Sequence, residues 1–132
     1  MIGLVIASQG RLALEFVTAA EHAFGQSLPQ LEALVIDWDE TNERARQRLI
    51  DAIARVDTGD GVVVLADICG GTVANLAISI VGHLNIEVLG GINVATLVKL
   101  VRARDQPLRT AVAAARDSGR RHLKSSLEVI GK

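Results

Sequence analysis

Two unbroken apolar runs constrain this chain more than any other feature: Ile2 to Ala7 and Val62 to Ala66, neither carrying a charged or hydroxyl side chain. A strand with one wet face alternates apolar and polar residues, so a run without polar positions suits a strand buried on both faces. Between and after these runs, apolar residues recur at helical spacing. Leu12, Phe16, Ala19, Ala20 and Ala23 mark a helix from about Arg11 that stops at Gly25. Ala45, Leu49, Ala52, Ile53 and Val56 mark a second, which Asp39 or Thr41 can cap. Val73 to Val81 reads as a third helix. Asn93 caps a fourth carrying Leu97, Leu100 and Val101, and Pro107 opens a fifth with Leu108, Val112 and Ala115 inward. Leu31 to Asp37 and Ile86 to Leu89 supply two further strands. His122 to Ile130 alternates like a half-exposed fifth strand.

Strand and helix in alternation predict an α/β fold, a doubly wound parallel sheet with right-handed crossovers. The first and third strands are the most apolar and belong side by side in the middle. The second, with Glu32 and Asp37, belongs at an edge, which gives the order 2-1-3-4. Ligands of such sheets bind beyond the carboxyl ends of the strands where the order reverses. That point falls between the loops Ser8-Gln9-Gly10 and Asp67-Ile68-Cys69-Gly70-Gly71-Thr72.

Composition narrows the function. The chain has 132 residues, the size of one domain spanning 1–132, and 49% are hydrophobic, with two Phe, one Trp and no Tyr. A formal net charge of −1 and the scarcity of stacking aromatics argue against nucleic acid as a partner. The single cysteine, Cys69, has no intrachain partner and fits a reducing compartment. The opening apolar run is short and lacks a basic lead, and Asp67, Gly70 and Gly71 interrupt the stretch from Gly61 to Gly82, so a cytoplasmic chain is expected. Basic residues gather between Lys99 and Lys124. They read either as the solvated face of two helices or as a docking surface for an acidic protein.

At the reversal point Asp67 ends a buried strand, where a carboxylate needs partners. Gly70 and Gly71 turn the backbone and leave amides facing outward, and Thr72 adds a hydroxyl before a helix start. Together these suit an anion, although the same residues also serve for turn geometry and for capping the next helix. No metal or cofactor is expected.

Three blocks then carry a family resemblance across nearly the whole chain. Met1-Ile2-Gly3-Leu4-Val5-Ile6-Ala7-Ser8-Gln9-Gly10-Arg11-Leu12-Ala13 resembles the opening of the mannose-family IIA components of the bacterial sugar phosphotransferase system (PTS). Gly61 to Asn75, with Ala66-Asp67-Ile68-Cys69-Gly70-Gly71-Thr72 at its centre, is similar to their second motif, and Gly90 to Leu100 to their third. The resemblance implies a homodimer whose last strand, about Leu123 to Ile130, pairs antiparallel on the partner's sheet. It implies a histidine after the first strand that takes a phosphoryl group from the small carrier HPr and passes it to a IIB component. It also implies that Asp67 orients that histidine, while the amides of Gly70 and Gly71 and the Thr72 hydroxyl hold the phosphoryl oxygens.

The histidine's position is Gln9 here. An amide nitrogen has a delocalised lone pair and cannot form a phosphoramidate, although Gln9 can donate a hydrogen bond to Asp67. Departures cluster around it: Cys69 stands where the family has an aromatic, Val73 where it has proline, and Ala95-Thr96 where it has Pro-Met. All four are candidate docking positions. The expectation is a IIA-type protein that does not carry phosphate at the usual site and acts by contacts with HPr, a IIB component or a regulatory kinase, with at most indirect contact with a membrane transporter. The alternatives are an active carrier using another acceptor, and a sensor of a small anion or metabolite. His22, His83 and His122 are not expected to reach the loops, and Cys69 reads as a small filler or as a thiol activated near a helix start.

Overall fold

The computed structural model describes residues 1–83 and 85–131, without the side chain of residue 83. Its sheet has four parallel strands, β1 (Gly3–Gln9), β2 (Leu31–Ile36), β3 (Val62–Ala66) and β4 (Ile86–Gly90), in the order β2-β1-β3-β4. The expected fold class and strand order are both observed. All five residues of β3 are fully buried, as are Leu4, Val5 and Ala7 of β1. At about 1.5–3 kcal/mol for each large apolar side chain removed from water, these two strands fix the sheet's centre.

Side-chain alternation divides the core. Val5, Ala7, Val62, Val64 and Ala66 face the layer of α2 (Asn42–Val56) and α3 (Thr72–Ile78). Leu4, Ile6, Val63 and Leu65 face α1 (Leu12–Phe24), α4 (Val94–Arg102) and α5 (Leu108–Arg121). Thr41 caps α2 by accepting from the Arg44 amide at 3.2 Å, and Asn93 caps α4 by accepting from the Thr96 amide at 2.9 Å. Gly25 ends α1 in the left-handed region at φ 68°. Two members of the basic stretch are structural. Arg102 sits over the Phe24 ring at 5.9 Å. Arg104 is 5% exposed and donates to the carbonyls of Ile2, Pro29 and Gln30 at 2.7–2.8 Å.

Two expectations need correction. β1 continues through Gln9, so Gln9 belongs to the strand and pairs with Ile36 of β2. The half-exposed strand expected from His122 to Ile130 is absent from the described residues: His122 caps α5, and Ser126–Val129 forms a single helical turn, α6. Ser125 opens that turn by accepting from the Glu128 amide at 3.3 Å, the Ser-x-x-Glu pattern of a helix start. Among the described residues no helix is long and apolar enough to cross a membrane.

Candidate functional site

The carboxyl ends of β2, β1 and β3 bring three loops side by side. Gly10 and Arg11 lead from Gln9 at the end of β1 into α1, residues 37–41 lead from β2 into α2, and residues 67–71 lead from β3 into α3. Each loop is built by a different device. After β1 the buried Ser8 hydroxyl accepts from the Ala13 amide at 2.8 Å and donates to the Gly10 carbonyl at 3.2 Å, which ties the first turn of α1 to the strand. A serine read only as a loop residue therefore serves as the cap that Arg11 does not provide.

After β2 the organiser is Glu40, whose side chain is 2% exposed. Its Oε1 accepts from the Asp37 amide at 3.1 Å, and Arg48 Nη1 donates to both carboxylate oxygens at 2.6 and 2.9 Å. Arg48 also donates to the Val35 carbonyl at 3.0 Å. The hydrogen bond from Arg48 holds the Glu40 carboxyl below its usual pKa, with burial opposing. This loop carries Trp38, which is 76% exposed. A β-carbon placed on Gly10 would lie 3.5 Å from the indole Cζ2, so the ring borders the residue after Gln9. Sequence reasoning missed Trp38. The available signal was a lone tryptophan between two aspartates at the end of a strand.

After β3 the loop crosses the end of β4. A β-carbon on Gly90 would fall 2.8 Å from the Cys69 α-carbon, a backbone contact that admits only glycine without displacement. Gly70 takes φ 83°, in the left-handed region. Gly71 caps α3 through its backbone alone, and no side chain caps the first turn. Thr72, exposed, is the first residue of that helix.

Gln9 ends β1 and Asp67 follows β3 at the same end of the sheet, but no hydrogen bond joins them. Asp67 Oδ1 instead accepts from the Ile68 amide at 2.9 Å. The register explains the separation. Ala7 pairs with Ala66 and β3 ends there, so Gln9 still belongs to its strand while Asp67 lies in the turn beyond, its carboxylate folded onto the next amide.

The proposed docking positions divide. Cys69 is exposed and Ala95 half-buried. Val73, 2% exposed, packs in the core against α2, so it does not present its side chain to a partner. Thr96, 4% exposed, donates its hydroxyl to Asn93 Oδ1 at 2.8 Å, and Asn93 in turn donates to the Gly119 carbonyl at 3.0 Å. This junction of α4 with α5 holds Thr96 at the floor of a groove rather than on an open surface. The groove, of about 410 Å³, runs along the open edge of β4, bordered by Cys69, Gly90, Gly91, Arg116, Arg120 and Leu123. His22 lies in the last turn of α1, toward the other end of the sheet, and His122 Nδ1 lies 2.7 Å from the Ser118 carbonyl.

A family model described as PTS system fructose IIA component matches residues 3–116. No curated protein matches the chain in sequence. Among solved structures, the mannose/sorbose-specific IIA subunit of the phosphotransferase system from Enterococcus faecalis is similar, with TM-score 0.83 and 19% identity over 94% of this chain and 93% of that one. The PTS IIA protein associated with the fucose utilization operon of Streptococcus pneumoniae gives TM-score 0.84 and 21% identity, covering 97% and 95%. The phosphotransferase system component EIIA from Streptococcus agalactiae gives 0.83 and 20%, covering 95% and 97%. At these identities the likeness is one of fold.

Proposed function

The chain belongs to the fructose IIA family of the phosphotransferase system, and from that membership we propose that it is a cytoplasmic IIA-type protein that docks HPr and a IIB component or regulatory kinase without carrying phosphate at the family's usual position. The observation that carries this reading is the placement of Gln9. An amide ends β1 at the reversal of strand order, beside Asp67 and the Gly70-Gly71-Thr72 turn. The family's phosphoryl acceptor belongs at that place, and carboxamide nitrogen is not a nucleophile at neutral pH. The uncapped first turn of α3 and the Thr72 hydroxyl are the groups that would face phosphoryl oxygens. They are retained here as a docking surface of fixed shape.

The protein acts as a homodimer in this reading. Leu123, Leu127, Val129 and Ile130 are 59–81% exposed, and β4 is an open edge of the sheet. A second copy supplies the apolar cover that one chain lacks, through the terminal segment rearranged onto the β4 groove. Small-angle scattering at micromolar concentration should give twice the chain mass. A stable monomer would remove this part of the reading.

The functional test uses the unmodified protein with phosphoenolpyruvate, enzyme I and HPr. Titration calorimetry should show HPr binding, while the intact mass of the chain stays unchanged after incubation with the complete system. A phosphorylated chain would contradict the reading, and so would the absence of binding to HPr.

A further inference from the structure

Three apolar side chains stand exposed around the carboxyl end of the sheet: Leu12 at 47%, Ile68 at 60% and Trp38 at 76%. They sit at the start of α1 and in the loops after β3 and β2, around the end of β1. Trp38 has the largest apolar surface of the three. What is informative is the grouping, since exposed apolar side chains gathered at one end of a fold mark an interaction surface where a single one would not.

The support beneath Trp38 is costly in polar groups. Burying a carboxylate to 2% exposure is unfavourable unless it is fully paired. Glu40 is paired through the Asp37 amide and two bonds from Arg48, and Arg48 is itself fixed to the Val35 carbonyl. The brace holds both ends of the three residues Asp37-Trp38-Asp39 and directs them to solvent beside Gly10. Asp37 and Asp39 are exposed, and neither carboxylate is in a salt bridge among the described residues. Arg44 leans toward Glu40 at 3.7 Å, and Arg48 is consumed by it. The surface is therefore an apolar centre bordered by the exposed Asp37 and Asp39, with Arg44, 73% exposed, beside them and Arg11 on the neighbouring loop.

We propose that Trp38, held outward by the Glu40–Arg48 brace, is the anchor by which this chain binds a protein whose contact face is apolar at its centre and basic at its rim. The proposal rests on the reading that the chain works by protein contacts at this end of the sheet, and adds the residue that supplies the binding energy. Tryptophan is enriched among such anchors because it buries a large area with few rotors to fix, and acidic flanks select against acidic competitors. Glu40 and Arg48 are positioning residues that fix the indole before contact.

The chain has one Trp and no Tyr, so its own fluorescence reports the environment of Trp38 alone. Titration with purified HPr should shift Trp38 emission to the blue, and Trp38→Ala should weaken HPr binding by about 30-fold or more in calorimetry. Trp38→Phe should keep most of the affinity. Glu40→Gln should weaken binding several-fold and lower the fluorescence anisotropy of Trp38 in the free protein, which a purely structural role for Glu40 would not do. Raising the salt concentration should weaken binding. If HPr binds while Trp38 emission stays unchanged and Trp38→Ala binds equally well, the proposal falls and the docking function stands. If HPr does not bind at all, both fall.

Discussion

Arg104 permits the most quantitative test of the fold. Its guanidinium is a buried cation with no carboxylate among its hydrogen-bond partners; three main-chain carbonyls take its protons instead, at 2.7–2.8 Å. Those carbonyls belong to the chain entering β1 and to the turn before β2, so one side chain pins two strands at the amino end of the sheet. Burial pulls the guanidinium below its usual pKa, with Asp105 opposing, although an arginine stays charged throughout the working pH range. Arg104→Met keeps much of the aliphatic volume and deletes the three bonds. Bonds to a charged group contribute about 1.5–3 kcal/mol each. Returning the cation to water recovers several kcal/mol of desolvation, so the net loss should be roughly 2–4 kcal/mol. Such a loss is a large share of the ~5–15 kcal/mol stability of a domain, and it corresponds to a melting point lower by roughly 6–15 °C. Arg104→Lys should recover little, because one ammonium cannot span three carbonyls. Urea unfolding followed by circular dichroism gives the free energies. An Arg104→Met protein within about 0.5 kcal/mol of the parent would refute this account of how the amino end is held.

The Glu40 carboxyl is held below its usual value of 4.5. It therefore adds stability that is present in full above pH 4.5 and lost as pH falls through the lowered folded value. Glu40→Gln should flatten the stability profile below pH 4.5 relative to the parent, and parallel acid titrations of unfolding would refute the brace. Gly90→Ala should cost about 1–3 kcal/mol, since the added carbon meets the Cys69 backbone. An Ala variant as stable as the parent in urea would show that the loop after β3 does not press on β4.

The centre of the fold is legible in the sequence because burial on both faces leaves a pattern nothing else imitates. Val62 to Ala66 has no polar position, and it became an inner strand. Thr41, Asn93 and Gly25 declared their caps for local reasons that tertiary structure did not override. The terminal segment misled because alternation is necessary for a half-buried strand and not sufficient. Within one chain Leu123 to Ile130 pairs with no strand, and the local Ser125–Glu128 signal prevails. At the site, the sequence located the loops but not the contacts. Gln9 and Asp67 are neighbours at the strand ends, yet the Asp67 carboxylate turns to the Ile68 amide, a local contact that spacing along the chain does not reveal. Val73 and Thr96 were read as surface because they depart from a family motif, whereas packing against α2 and the bond to Asn93 take them inside. Trp38 went unread because the scarcity of aromatics was weighed only against a nucleic-acid partner.

The central claim is that the end of β1 holds an amide where the chemistry needs an imidazole. Gln9→His tests it most directly. The parent, Gln9→His and the double variant Gln9→His with Asp67→Ala are incubated side by side with enzyme I, HPr and labelled phosphoenolpyruvate, and acid-labile phosphate is counted on each. The parent should carry none. Gln9→His should gain label, held below one phosphate per chain because Asp67 is engaged with the Ile68 amide and must turn to meet the new ring. The double variant should lose most of that gain. Robust labelling of the parent, or a Gln9→His protein that folds and binds HPr yet takes no phosphate, would contradict the account.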